Sequence, residues 1–260
     1  MAWDRDRDVS KPRLFSGPVR YWPQSPWGVL TAALATLAVI GGQLVGAIAA
    51  AMVLEGTAWD TKFGKDVISL ASPVGVGVTI ASQATSIVFV WLFAGRGGLR
   101  REVLQLLGPS PGSGTLLAGG LIAIIVTGLI ELLLYTGLGF DYRTDVAWLA
   151  DGLRSPLWPA TVLIAVILAP FWEELTFRGF LLSALAQTPL GFWGGAVISN
   201  VAWTALHGGY TLPGMASVFT AGLVLSWLLL RTGSIRAPIA AHAIANAFAV
   251  AFAYWVSTGP

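Results

Sequence analysis

Long apolar stretches separated by short polar ones dominate this chain from residue 28 onward. A helix needs about 20 mostly apolar residues to cross about 30 Å of hydrocarbon. Seven stretches come close to this length or exceed it, and we predict that they are membrane spans: 28–54, 67–94, 115–137, 157–182, 190–208, 212–230 and 236–256. The pattern therefore predicts an all-α fold, a polytopic transmembrane helix bundle of about seven spans.

The same pattern divides the chain into three regions. Residues 1–27 are polar and are interpreted as a cytoplasmic N-terminal tail. Residues 28–137 hold the first three spans, with a short helix near 96–108 that is predicted to lie on the membrane surface, because its apolar residues share one face. Residues 157–256 are predicted to form a catalytic helix bundle, because they carry the polar motifs described below.

Composition supports a membrane protein. Hydrophobic residues make up 55% of the chain and charged residues 11%, whereas a soluble domain carries roughly 25% charge. The mean hydropathy is +0.73. The chain has no cysteine, which excludes disulfides, thiolate metal sites and a cysteine nucleophile. The formal net charge of +2 is small enough to reflect membrane topology, and we expect no nucleic-acid partner.

The basic residues predict the orientation. Of the 15 Lys and Arg residues, the side opposite the N-terminus receives Lys62, Lys65, Arg143 and Arg154, which leaves eleven for the N-terminal side. If Arg178, which lies within a predicted span, is omitted, ten basic residues remain on the N-terminal side and four on the opposite side. Because basic residues favour cytoplasmic loops, we expect a multi-pass protein of the cell membrane with a cytoplasmic N-terminus.

The fourth span contains the motif FWEELTFR, with two adjacent acids and a base. An ionisable group at bilayer depth costs at least about 2.5–3.5 kcal/mol. Helical spacing puts Glu174 and Arg178 on one face, so they are predicted to neutralise each other while Glu173 faces a cavity as a general base. The alternative is a structural ion pair at a helix end, although such a pair needs only one acid.

The fifth span contains the motif SNVAWTALHGG. Asn200, Trp203 and His207 recur at three- and four-residue spacing and share one helix face. A functional imidazole is one interpretation. The other is a histidine that interacts with the negative end of the helix dipole, and the motif alone does not decide between them.

The seventh span contains the motif AAHAIANAF. His242 and Asn246 are one turn apart in an otherwise apolar helix. They could join neighbouring helices by hydrogen bonds worth about 0.6 kcal/mol each. Equally, they could donate hydrogen bonds to an oxyanion in a dry site, an effect worth several kcal/mol.

The three motifs together favour one site. Glu173 lies roughly 15 residues before the turn at 188–190, and His207 lies roughly 17 residues after it. At about 1.5 Å per residue, both are roughly 22–27 Å from that turn. His242 lies only some six residues past the following loop on the same side, so its height fits less well. The mismatch is removed if the turn projects into the cytoplasm or if Pro238 lies inside the seventh helix, and the site is then predicted in the cytoplasmic half of the bilayer.

The ordered motifs E-E-x-x-x-R, aromatic-x-x-x-H and H-x-x-x-N resemble those of the CAAX prenyl endopeptidase family, the type II CAAX proteases, with bacterial members in the CPBP group. The resemblance covers about residues 157–250. It rests on the residues Glu173, Glu174, Arg178, Trp203, His207, His242 and Asn246. Trp203 stands where phenylalanine is commoner in the family, which preserves a flat apolar wall.

The resemblance implies a glutamate-type intramembrane endopeptidase that cleaves a peptide or protein substrate, which in this family can be lipidated. It implies that Glu173 and His207 activate a water molecule, and that His242 and Asn246 stabilise the oxyanion. Glu174 and Arg178 would hold their helix in place, with Trp203 and Asn200 in support. No cofactor is then required.

Three other interpretations stay open at this stage. Glu173, His207 and His242 could bind Zn²⁺ as a His₂Glu set, although Asn246 and the Arg178 pair have no role in that chemistry. A non-hydrolytic membrane protein, such as an immunity or adaptor protein, could retain the motifs. A transporter could also bury acids, but no internal repeat is apparent. Glu131, another acid within a span, receives no role, and the substrate is not readable.

Overall fold

The computed structural model describes residues 14–16, 18–55 and 69–258. Most of the predicted tail at 1–27 therefore lies outside the described residues, and so do residues 67 and 68 of the second predicted span. No strand occurs in the described part of the chain. The predicted all-α class is confirmed.

The described residues form nine helices that we number in chain order. They are α1 (Val29–Glu55), α2 (Pro73–Ala94), α3 (Arg100–Val103), α4 (Ser113–Leu138), α5 (Arg143–Arg154), α6 (Trp158–Leu185), α7 (Gly191–Ala205), α8 (Leu212–Thr232) and α9 (Arg236–Thr258).

Six helices of the described residues are long and apolar enough to cross a membrane, namely α1, α2, α4, α6, α8 and α9. The predicted span at 190–208 contains α7, which has 15 residues and is therefore only about 22 Å long. The polytopic bundle of about seven spans is thus confirmed as a class, with six full-length helices and one short one.

Helix ends follow local sequence signals. The Ser72 hydroxyl accepts a hydrogen bond from the Gly75 amide at 2.9 Å, and Pro73 occupies the first turn of α2. This is the usual N-terminal arrangement, since a proline there needs no intrahelical partner. At the C-terminal end of α8, Gly233 adopts a left-handed conformation with φ of 63°, which terminates the helix as glycine commonly does.

The predicted surface helix near 96–108 is shorter than expected. The structure has a 3₁₀ turn at Arg96–Gly98 followed by the single turn of α3. Gln105 then adopts a φ of 52°, which stops the helix. Val103 and Leu104 are fully buried, so the end of this segment is anchored in the bundle, while Arg96–Gly98 is exposed.

Consecutive long helices alternate in direction, so their connections gather on two sides. The N-terminal side holds 18–27, 95–112, 186–190 and 233–235, and the opposite side holds 69–72, 139–157 and 206–211. Cross-contacts support this grouping. The Ile235 amide donates to the Gln105 carbonyl at 3.2 Å on the N-terminal side. The Thr211 amide donates to the Asp145 carboxylate at 2.7 Å on the opposite side.

The segment at 18–27 is bound to the bundle. The Arg20 and Tyr21 amides both donate to the Leu230 carbonyl at 3.1 Å, and the Trp27 indole donates to the Phe93 carbonyl at 3.2 Å. Tyr21 is buried, and the loss of hydration raises the pKa of its hydroxyl. The last part of the predicted tail is therefore a packed element of the fold.

Candidate active site

Helix α6 changes its winding twice around the acidic motif. Its three α-helical segments are separated by π-helical segments at Ile164–Leu168 and Glu174–Leu181. Pro170 has no amide hydrogen to donate to the preceding turn, and the Ala165 carbonyl instead accepts a hydrogen bond from Asn246 Nδ2 at 2.8 Å. Single π-helical turns are frequent at functional sites. Here they set the directions of Glu173 and Glu174.

Glu174 is the centre of a buried charge cluster. Its Oε1 atom accepts a hydrogen bond from Arg178 Nη1 at 3.1 Å, and His242 Nδ1 lies 2.9 Å from the same oxygen. Glu174 and Arg178 are almost fully buried. The ion pair expected from their four-residue spacing is therefore present, and it also reaches His242 on α9.

Arg178 extends the cluster to α7. Its Nη2 atom donates to Asn200 Oδ1 at 3.2 Å, and its guanidinium lies 4.0 Å from the centre of the Trp203 ring. Asn200 in turn donates to the Phe219 carbonyl at 2.6 Å. A planar guanidinium suits this combination of hydrogen bonds to two partners and ring stacking. Three helices are thus held at fixed distances behind the site.

Glu173 faces away from this cluster into a cavity of about 390 Å³. Its Oε2 atom accepts a hydrogen bond from the Trp203 indole at 2.7 Å and lies 4.0 Å from His242 Nε2. The second distance exceeds that of a direct hydrogen bond. Glu173 is 9% exposed, so its carboxylate is reached through the cavity.

The structure brings the four predicted catalytic residues to one cavity wall: Glu173, His207, His242 and Asn246. Trp203 also lines the cavity, with its ring 5.5 Å from that of His242 and 5.2 Å from that of His207. Glu174, Arg178 and Asn200 do not line it and lie behind the wall. The sequence motifs therefore separate into a layer that faces the cavity and a layer that supports it.

His207 lies in the turn after α7, and its environment fixes its tautomer. Its Nδ1 atom lies 3.1 Å from the Trp203 carbonyl, and a carbonyl oxygen can only accept a hydrogen bond. Nδ1 must therefore carry the proton in this contact. In the neutral ring Nε2 is then an acceptor. Among the described residues, the imidazole within 4.0 Å of Glu173 is that of His242.

The cavity also contains residues that the sequence motifs did not assign. Glu131 on α4 lines it and accepts a hydrogen bond from Ser217 on α8 at 2.7 Å. The only sequence signal was that Glu131 is an acid within a span. The sequence contains no signal for Ser217, because a serine that bonds to a neighbouring helix looks the same in a sequence as one that bonds within its own helix.

The cavity is reached from the side opposite the N-terminal segment. Leu70, Trp148 and Tyr210 belong to connections on that side, and all three line the cavity. Asp145 ties two of these connections together, because its carboxylate accepts from the Thr211 amide and hydroxyl at 2.7 and 2.6 Å. The cavity therefore extends to the connections opposite the N-terminal segment. The sequence-based placement of the site in the cytoplasmic half of the bilayer stays a prediction.

Tyr210 contributes a neutral hydroxyl near the entrance. It is half-buried, and loss of hydration raises its pKa to about 12. Its ring lies 5.4 Å from that of His207. Tyr210 therefore keeps its proton at neutral pH and can donate a hydrogen bond there.

The alternative zinc ligands are not preassembled. Within the described residues no three His, Cys, Asp or Glu side chains lie close enough together to hold a metal ion. His242 Nδ1 is bound to Glu174, and His207 Nδ1 is directed to the Trp203 carbonyl. Both histidines therefore keep Nε2 for another partner, as metal-binding histidines do, and the zinc interpretation stays a prediction.

The long apolar helices and this enclosed polar site define a multi-pass membrane protein. Residues 155–248 match the family model described as Type II CAAX prenyl endopeptidase Rce1-like. The family predicted from the motifs is thus confirmed for this segment, and it is a protease family. All seven motif residues lie within the matched segment.

A curated relative covers a similar length of chain. A protein from Escherichia coli described as "Uncharacterized 24.3 kDa protein" is 33% identical over 94 residues, which is 35% of this chain. The matched segment spans 43% of the relative's own length, less than half. No solved structure matches this chain significantly.

Proposed function

We propose that this chain is an intramembrane endopeptidase that hydrolyses a peptide bond in the cavity, with water as the nucleophile and Glu173 as the general base. The observation that carries the proposal is that Glu173, His207, His242 and Asn246 line one cavity. Helix α6, the turn after α7 and helix α9 supply these side chains. Their convergence on one cavity supports a chemical role over three separate structural roles.

The charge balance of the cluster supports a donor role for His242. Glu173 and Glu174 contribute two negative charges and Arg178 one positive charge. When His242 carries both ring protons, the four groups are electrically neutral, which is the favourable state for charges removed from water. Nδ1 then donates to Glu174, and Nε2 can donate to a group in the cavity.

The attacking water would be held by two acceptors. The Glu173 carboxylate and His207 Nε2 both accept hydrogen bonds in the states described above, so one water can donate a proton to each. Its lone pair then points toward the substrate. Glu173 takes one proton as the water oxygen adds to the scissile carbonyl carbon, a contribution to rate of about 10²–10⁴-fold.

The oxyanion formed in that step would be stabilised by His242 Nε2 and by the second amide hydrogen of Asn246. The first amide hydrogen of Asn246 is already donated to the Ala165 carbonyl, which fixes the orientation of the side chain. Preorganised donors of this kind cost no reorganisation during the reaction. The protonated Glu173 then gives its proton to the leaving nitrogen. The C–N bond breaks and leaves a carboxylic acid and an amine.

The expected substrate is a peptide or protein segment that enters from the membrane, and we include lipidated segments in that class. The orientation proposed from the basic residues puts the N-terminal side in the cytoplasm of a cell membrane. The cavity entrance then faces the extracytoplasmic side, because Leu70, Trp148 and Tyr210 belong to the opposite connections.

The test is a cleavage assay on the purified protein with a quenched-fluorescence peptide library. The comparison is between wild type, Glu173→Gln and Asp151→Asn, since Asp151 is an exposed acid of a surface ion pair far from the motifs. Cleavage by wild type and Asp151→Asn but not by Glu173→Gln supports the proposal. Peptide binding without turnover in all three variants would instead favour a non-hydrolytic binding protein.

A further inference from the structure

The cavity holds a second carboxylate, that of Glu131, for which the hydrolytic mechanism has no use. Glu131 is exposed on α4 and lines the same cavity as Glu173. Its Oε1 atom accepts the Ser217 hydroxyl at 2.7 Å. None of the hydrogen bonds found within the described residues occupies its Oε2 atom. The carboxylate is therefore held in a fixed direction by one oxygen and keeps the other for a ligand.

No basic side chain of the described residues compensates this charge. The ion pairs found among the described residues involve the carboxylates of Asp151, Glu173 and Glu174 and not that of Glu131. No lysine or arginine lines the cavity, and His242 is paired with Glu173 and Glu174, not with Glu131. The charge of Glu131 therefore has no basic partner on the cavity wall among the described residues. Such a carboxylate attracts ions of the opposite sign and is complementary to a cationic group.

The rest of the wall suits a long aliphatic stem that ends in a charge. The cavity is also lined by Ala123 on α4, the helix of Glu131. On α8, the helix of Ser217, it is lined by Ala221 and Leu225. Lysine and arginine side chains bury such stems against apolar surface and keep the charged end at a polar partner. The Ser217 hydroxyl can rotate and accept a hydrogen bond from the same cation.

We propose that Glu131 and Ser217 form a substrate subsite that binds a cationic group of the peptide. This proposal rests on the proposed function, because it makes Glu131 a specificity-determining residue of the same cavity. Lysine, arginine and a free amino terminus share the required chemistry. The substrate class is then a basic peptide segment, and its charge is bound away from the peptide bond that the Glu173-activated water attacks.

The experiment measures peptide binding, which does not depend on hydrolysis. In a Glu173→Gln background, three fluorescent peptides are compared: one with lysine and an acetylated amino terminus, one with norleucine in its place, and the norleucine peptide with a free amino terminus. Glu131→Gln keeps the size and the acceptor oxygen but removes the charge. It should weaken binding of the cationic peptides by at least about tenfold and leave the neutral peptide unchanged.

The control variant is Asp151→Asn, which removes an exposed carboxylate outside the cavity and should alter no peptide. Equal losses for charged and neutral peptides in Glu131→Gln, or no loss, would overturn the subsite. If Glu131→Gln does not fold, wild type is titrated with the lysine peptide against n-butylammonium or n-butanol. Competition by the ammonium alone supports the subsite, and equal competition contradicts it.

The two proposals fail separately. Charge-selective binding with no cleavage of any peptide by wild type would leave the subsite standing and remove the peptidase. Cleavage that is lost in Glu173→Gln but shows no preference for basic peptides would leave the peptidase standing and remove the subsite.

Discussion

His242 and Glu174 form the contact that joins the supporting charge cluster to the cavity. His242 Nδ1 lies 2.9 Å from Glu174 Oε1, and the other ring nitrogen lies 4.0 Å from Glu173 Oε2. One imidazole thus connects a fully buried carboxylate with the one that faces the cavity. A carboxylate behind a histidine fixes the ring orientation and the position of its proton.

Glu174→Gln should therefore destabilise the protein as well as reduce activity. The variant leaves Arg178 buried without its acidic partner, a change that typically costs about 3–5 kcal/mol. The measurement is the free energy of unfolding in detergent or lipid. Asp151→Asn is the matched control, because an exposed pair contributes about 0–1 kcal/mol. A loss in Glu174→Gln no larger than in this control would contradict the account of the cluster.

Asn246→Ala separates an oxyanion role from a purely structural one. The variant loses the bond to the Ala165 carbonyl, so we expect a stability loss of about 1–3 kcal/mol. If Asn246 also binds the oxyanion, kcat should fall by about 10²-fold or more. Ser183→Ala serves as the control, because Ser183 makes a similar buried bond to the Val103 carbonyl at 2.7 Å away from the cavity. Equal effects of both variants on stability, with kcat unchanged in each, would assign Asn246 a structural role.

Metal removal should leave activity intact. The described residues offer no trio of ligands at metal-binding distance, and the proposed mechanism uses water with the carboxylate of Glu173, two imidazoles and the carboxamide of Asn246. The measurement is the cleavage rate after dialysis against a chelator, together with the zinc content of the active protein. Loss of activity on dialysis, with recovery on addition of Zn²⁺, would support the His₂Glu interpretation.

The proposed orientation has a direct labelling test, because the chain contains no cysteine. Thr144→Cys introduces an exposed thiol on the side of the cavity entrance, and Ser110→Cys introduces one on the N-terminal side. A membrane-impermeant maleimide should label Thr144→Cys in intact cells and Ser110→Cys only after permeabilisation. The reverse result would put the cavity entrance in the cytoplasm.

Sequence pattern was sufficient for the parts of this protein that depend on composition and helical spacing. Apolar length predicts the long helices, and four-residue spacing predicts the pair of Glu174 and Arg178. The spacing also placed His207 beside Trp203, as the structure has it, whereas Asn200 lies behind the cavity wall with Arg178. These features depend on residues close in sequence, where helix geometry limits the alternatives.

The remaining features depend on contacts that spacing does not encode. The π-helical turns of α6 depend on Pro170 and on Asn246, which is supplied by a helix about 80 residues away. The contact between His242 and Glu174 likewise joins distant helices. Glu131 was visible in the sequence as an acid within a predicted span, but its partner Ser217 could only be found from the packing of α4 against α8.

The central claim is that Glu173 activates a water molecule for attack on a peptide bond. The most direct measurement is the cleavage rate of one library-derived peptide in water enriched in oxygen-18, with mass analysis of the new carboxyl group. Wild type and Asp151→Asn should incorporate one heavy oxygen at equal rates, and Glu173→Gln should be slower by about 10²–10⁴-fold. Cleavage by Glu173→Gln at the wild-type rate would contradict the account.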